Sequence, residues 1–155
     1  MHTAFLNYPE GLVVSCQYIM NRERVFTVVI QNGRLVMLKV DEKNRIYWTL
    51  PGGGVEVGER REETAVREAK EEANIDIKIV RYLFENDYSA GTEYCYLAEP
   101  SNDHEISLGY DPELKDQVLS EVEWKDINDV RNDKHVSQVI KYLSNEELKK
   151  YNIVF

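Results

Sequence analysis

Pro51 followed by Gly52, Gly53 and Gly54 constrains this chain more than any other stretch of it. The short apolar run Ile46–Leu50 reads as a strand that must stop at Pro51, and the glycines then open backbone angles closed to other residues. A loop is expected at Gly52–Gly54. From Glu59 to Ala73 neither Pro nor Gly occurs and Glu, Arg, Lys and Ala dominate, with Ala65, Val66, Ala69 and Ala73 along one stripe. The spacing predicts a helix entered from a strand end through a glycine turn.

On that helix Glu68, Glu71 and Glu72 stand at i, i+3 and i+4, which puts three carboxylates on one face, about 5–6 Å apart at Cβ. Acid-rich helices usually carry such residues as a solvated face, because like charges at this spacing cost only tenths of a kcal/mol when exposed. Here the glycine turn sets exposed backbone groups beside the acids, and Arg67 lies among them as a counter-charge. Oxygen donors of this kind suit a hard cation. Mg²⁺ takes one or two carboxylates and keeps water and substrate phosphate at its other positions, whereas zinc is not suggested.

Elsewhere Leu12–Met20 and Val25–Gln31 are rich in β-branched and aromatic residues and read as paired strands around a turn at Asn21–Arg24. Asn32-Gly33 marks a type I′ hairpin into a strand over Arg34–Val40. Ile75–Glu85 and Thr92–Ala98 pair across a turn at Ser89–Gly91, and the polar Glu99–Lys115 reads as a long surface loop. A strand over Val118–Trp124 follows. Val136, Val139, Ile140, Leu143 and Leu148 then predict one closing helix over Val136–Tyr151. Strands that do not alternate regularly with helices point to an α+β or αβα layered domain, expected as one unit over residues 1–155.

Composition narrows the partners. A net charge of −9 with no basic stripe argues against binding a nucleic acid polymer. Cys16 and Cys95 are the two cysteines, far apart and read as buried strand residues, so neither a zinc cluster nor a disulfide framework is indicated. No apolar run reaches membrane-spanning length and Met1–Glu10 does not read as a secretory leader, so cytoplasmic residence is expected. His2, His104 and His135 show no ligand spacing and are read as surface residues.

Gly53, Glu59, Arg67, Glu68, Glu71, Glu72 and Ile75 fall at the spacings of the Nudix box, G-x5-E-x7-R-E-U-x-E-E-x-G-U with U a bulky aliphatic residue. The chain therefore resembles the MutT-like Nudix hydrolases. Trp48-Thr49-Leu50-Pro51-Gly52-Gly53 resembles the family's approach to its box and Glu121-Val122-Glu123-Trp124 its later strand, so the resemblance covers roughly Val25–Val130. Two positions depart from it: Ala69 replaces a larger aliphatic residue, and Asn74 stands where the second glycine is expected. Asn tolerates the left-handed conformation of a helix C-cap, so Asn74 can do the glycine's structural work.

The resemblance implies a Nudix-type α/β/α sandwich with a mixed central β-sheet. It also implies hydrolysis of a nucleoside diphosphate linked to another moiety, such as a nucleoside triphosphate, nucleotide sugar or ADP-ribose, with Mg²⁺ as cofactor and Mn²⁺ as substitute. A pyrophosphate would be repelled by three glutamates, at about 4 kcal/mol per unscreened pair at about 4 Å and an effective dielectric near 20, unless cations intervened. Implied metal ligands are Glu68, Glu71 and Glu72, with the carbonyl of Gly52 or Gly53. Glu59 and Arg67 are implied as the pair that orients loop and helix in the catalytic site. Glu68 or a later glutamate, Glu93, Glu113 or Glu121, would be the general base. Homodimers are frequent among such proteins. A nucleotide-sensing module that keeps the fold without cleaving, and a plain acidic-helix domain, are the alternatives.

Overall fold

The computed structural model describes residues 21–103, 105–110 and 118–155, and the backbone of 5–7 and 13–15. Its central strand is β3 (Arg22–Gln31), preceded by a two-stranded pair, β1 (Phe5–Asn7) with β2 (Val13–Ser15). The turn expected at Asn21–Arg24 is instead the start of β3, and β2 pairs with β1; Cys16, His2, His104 and Glu113 lie outside the described residues. From Val25 to Ile30 every residue of β3 is buried, with no alternation of exposure, because both its faces are covered there.

Asn32 and Gly33, at φ 49° and 71°, turn β3 into β4 (Arg34–Glu42) as the type I′ signal requires. The two strands pair only at this end, Ile30 with Leu35 and Gln31 with Arg34, and then splay apart. β5 (Arg45–Thr49) follows β4 on the opened side, while β6 (Gly52–Gly54) pairs antiparallel with Arg24–Phe26 of β3. The three glycines thus form a strand where a loop was expected. A Cβ at Gly52 would stand 2.3 Å from the Val25 carbonyl oxygen, so the strand can approach β3 only without a side chain.

From β6 the chain enters α1 (Arg61–Ala73), then β7 (Ile77–Tyr88) and β8 (Gly91–Pro100), a hairpin whose second strand runs parallel to β3. β9 (Leu119–Asp126) pairs with the far edge of β4, and α2 (Ile127–Val130), α3 (Lys134–Tyr142) and α4 (Asn145–Lys150) close the fold. The closing helix is two. Leu143 is extended, and Ser144 starts a new helix with a capping box in which Glu147 answers its backbone N–H.

Two cores face away from the sheet. Phe26, Val28 and Ile30 of β3 pack with Cys95 and Leu97 of β8 against Val136 and Val139 of α3. Val29, Ile75 and Ala98 pack with Ala69 and Ala73 of α1 on the other side, with Val25, Tyr94 and Ala65 beside them. This is a mixed sheet between helices, the α/β/α sandwich expected. The small Ala69 is fully buried and lets α1 lie close to the sheet, whereas Val66, expected on the same stripe, is 40% exposed. Asn74 takes the left-handed cap at φ 51°, with its N–H on the Lys70 carbonyl. No helix among the described residues is long and apolar enough to cross a membrane.

Candidate active site

The opening between β3 and β4 is a cleft of about 550 Å³, floored by the glycine strand and bordered by Glu68 and Glu72 of α1, Glu93 of β8 and His135 of α3. Its position follows from the splayed hairpin. Where β3 turns from β4 to β6, the sheet has a gap, and residues from both helix layers line it.

Along one wall the box residues form a single polar knot centred on Arg67. Its Nε and Nη2 donate to the two oxygens of Glu59 at 2.7 and 3.0 Å, the bidentate pairing for which Arg is suited. Nη2 also reaches the Gly54 carbonyl at 3.1 Å, and Nη1 donates to Glu68 Oε1 at 2.9 Å and Glu71 Oε2 at 3.2 Å. Thr64 Oγ1 adds a hydrogen bond to Glu59 at 2.5 Å. The guanidinium, with help from Thr64, holds the Glu59 carboxyl down at about 2, and in turn the carboxylates around Arg67 push its own ionisation up. The loop after β6 is thereby tied to α1.

Glu68 and Glu72 are buried, unusual for acids, while Glu71 keeps a quarter of its side chain exposed. Glu72 Oε1 accepts the Gly52 N–H at 2.7 Å. The Glu68 carboxylate lies against Gly53, so closely that a Cβ there would meet Oε1 at 2.2 Å. Glu59, Arg67, Glu68, Glu71, Glu72, Gly52 and Gly53 are thus brought together. Among the described residues, however, no three acidic, histidine or cysteine side chains converge as a metal cluster. Arg67 Nη1 engages Glu68 and Glu71, while Glu72 is turned to Gly52. The donor chemistry nevertheless suits a hard cation: carboxylate oxygens only, two of them buried, in a cradle that exists because Gly53 has no side chain.

The later glutamates separate. Glu93 lines the same cleft, its side chain 18% exposed, whereas Glu121 is an exposed partner of Lys39 at 2.8 Å on β9 and does not border it. His135 was expected at the surface but forms part of the cleft wall. Its Nε2 lies 3.0 Å from Glu93 Oε1, and its ring packs 4.6 Å from that of Phe26. One sequence signal pointed there: Glu93 precedes Cys95 and Leu97 on the inward-facing alternation of β8, an acid in a core row. Tyr47 borders the cleft, whereas Tyr94 and Tyr96 are core residues on the α1 side.

The NUDIX domain model matches residues 20–154. An RNA pyrophosphohydrolase of Novosphingobium aromaticivorans is 29% identical over 86 residues, 56% of this chain and 48% of that protein. A Mycobacterium tuberculosis protein carrying the mutator-protein name MutT4 is 33% identical over 94 residues, 59% of this chain and 38% of its own length. The chain therefore spans less than half of either relative. Among solved structures, a C. elegans Ap4A hydrolase superposes with a TM-score of 0.61 at 22% identity, covering 77% of this chain and 94% of that one, a likeness of fold.

Proposed function

The chain belongs to the NUDIX domain family, and from that premise we propose that it is a metal-dependent pyrophosphohydrolase acting on a nucleoside diphosphate linked to another moiety. The observation that carries the reading is the seating of the box glutamates: Glu68 against Gly53 and Glu72 on the Gly52 N–H, on the wall of a cleft large enough for a nucleotide. Glu68, Glu71 and Glu72, with the carbonyl of Gly52 or Gly53, would hold a divalent ion, Mg²⁺ with Mn²⁺ as substitute. When bound, such an ion supplies charge neutralisation at the phosphoryl oxygens and an acidified water.

The chain's own residues do the rest. Arg67 and Glu59 hold the loop after β6 against α1, so that glycine backbone and helix carboxylates keep a fixed spacing; they are positioning residues. The Gly52 N–H fixes one oxygen of Glu72. Of the candidate bases, Glu68 is the one seated at the glycine strand beside the groups that would hold the ion; Glu93 stands across the sheet on the α3 side, and Glu121 does not border the cleft.

The test is product-resolved hydrolysis across nucleoside triphosphates, ADP-ribose, dinucleoside polyphosphates and nucleotide sugars, with Mg²⁺ or Mn²⁺. Turnover is expected for some member, falling by roughly 100-fold or more in Glu71→Gln or Glu72→Gln while the fold survives. No turnover across the panel, or variants as active as wild type, would overturn the reading. Tight binding with the ligand recovered intact would point to a sensing module instead.

A further inference from the structure

We propose that Glu93 is the specificity-determining residue of this cleft, its carboxylate accepting an amino N–H from the substrate's nucleobase; the inference rests on the hydrolase reading above for what enters the cleft. The sheet register fixes where Glu93 stands. Gly54, Arg24, Glu93 and Asn86 are consecutive neighbours across β6, β3, β8 and β7. Two inter-strand spacings, roughly 10 Å, therefore separate the backbone at Glu93 from the glycine strand on which the α1 carboxylates are seated. Glu93 also shares the sheet face of Phe26 and Cys95, toward α3, whereas Glu68 and Glu72 come from the opposite layer. A ligand whose phosphates lie at the glycine strand would present its nucleoside end here.

How the carboxylate is held points to reading a donor. Oε1 lies 3.0 Å from His135 Nε2 and accepts from Asn86 Nδ2 at 3.4 Å. Asn86 is itself fixed by reciprocal hydrogen bonds with Gln138, both 2.9 Å, and His135 and Gln138 are one turn apart on α3. One oxygen is thus anchored by β7 and α3. For Oε2, no hydrogen bond is found among the described residues, and the residue lines the cleft. This carboxylate would itself repel an anionic group, which favours an uncharged group bearing hydrogen-bond donors as its ligand. The Phe26 and His135 rings, packed 4.6 Å apart, both border the cleft beside it and give that wall a flat character. A nucleobase combines a planar face with an amino donor; a ribose has hydroxyls but no such face.

Calorimetric binding of mononucleotide pairs that differ by one amino group tests this without requiring turnover: GMP against IMP, and AMP against purine ribonucleoside monophosphate. In at least one pair the amino-bearing member is expected to bind wild type about tenfold tighter or more, and Glu93→Ala should bring that ratio to within about twofold. Glu93→Gln preserves shape and replaces one acceptor oxygen by a donor. It should lower the ratio by at least about threefold, and it keeps the test in force if thermal melting shows that Glu93→Ala does not fold. Equal binding within both pairs, or a ratio that survives both substitutions, would overturn the proposal. Discrimination by Glu93 in a protein that hydrolyses nothing would leave this inference standing and sink only the hydrolase reading.

Discussion

At position 53 the space for a side chain is already occupied by Glu68. A Cβ built on Gly53 meets Oε1 at 2.2 Å, the far end of a flexible side chain, so Gly53→Ala should displace the carboxylate rather than the backbone. At Gly52 the obstruction is backbone, the Val25 carbonyl at 2.3 Å and the Phe26 Cα at 2.8 Å, and it cannot yield. Two neighbouring glycines should therefore fail differently. Gly53→Ala is expected to lower kcat by roughly 10- to 100-fold, as a misplacement of about 1 Å can, with little change in Tm; Gly52→Ala should lower Tm first. Equal Tm losses in the two, or a Gly53→Ala enzyme at full rate, would contradict the seating described. The carboxylates of this wall were legible in the sequence because a helix makes i, i+3 and i+4 neighbours, whereas the pairing of Arg67 with Glu59, which lies outside the helix, was implied by the family resemblance alone. Glu93 was among the later glutamates named, but its meeting with His135 was not legible. They meet only because β8 lies beside β3 and α3 crosses that face, a relation between segments 42 residues apart that no local period encodes.

Among the elements, α4 has no fully buried residue: Leu148 packs partly against the core, and polar contacts tie the rest of the helix to the sheet. Arg81 of β7 donates from Nε and Nη2 to the two oxygens of Glu147 at 2.7 and 2.8 Å, and Nη2 also reaches the Tyr142 carbonyl at the end of α3. One guanidinium pins both closing helices. Arg81, with the Ser144 cap, holds the Glu147 carboxyl down from 4.5 to about 2. A depressed acid stabilises the fold in full above its unfolded value and loses that contribution as pH falls from about 4.5 to about 2. Glu147→Gln should accordingly cost on the order of 1–2 kcal/mol at neutral pH after solvent screening, a Tm lower by about 2–8 °C. The gap between variant and wild type should close as pH drops through that window; a gap independent of pH would mean that charge is not what holds α4. The break between α3 and α4 was readable in principle, because Ser144 and Glu147 spell a capping box, but the apolar spacing from Val136 to Leu148 runs across it. The glycine strand was not readable. Three glycines favour a loop locally, and only the approach to β3 makes β6 a strand.

For the molecule as a whole, a net charge of −9 and the two buried glutamates of α1 act in the same direction on stability. Any added salt screens the general repulsion, so a rise of Tm with salt is by itself no evidence of a site. A divalent ion that binds the folded chain adds a separate contribution of RT ln(1 + [L]/Kd), about 2.7 kcal/mol at a hundred times Kd, or about 5–11 °C for a chain of this length. The two effects separate by comparison at constant ionic strength. Exchanging NaCl for MgCl₂ should raise the Tm of wild type in this range, saturating with concentration, while Glu72→Gln retains the screening response and loses most of the saturable one. Glu121→Gln removes the same formal charge from an exposed pair outside the cleft and should keep both. If all three proteins respond alike to Mg²⁺, the cation is acting on net charge alone, and the acidic wall of the cleft is not where it binds.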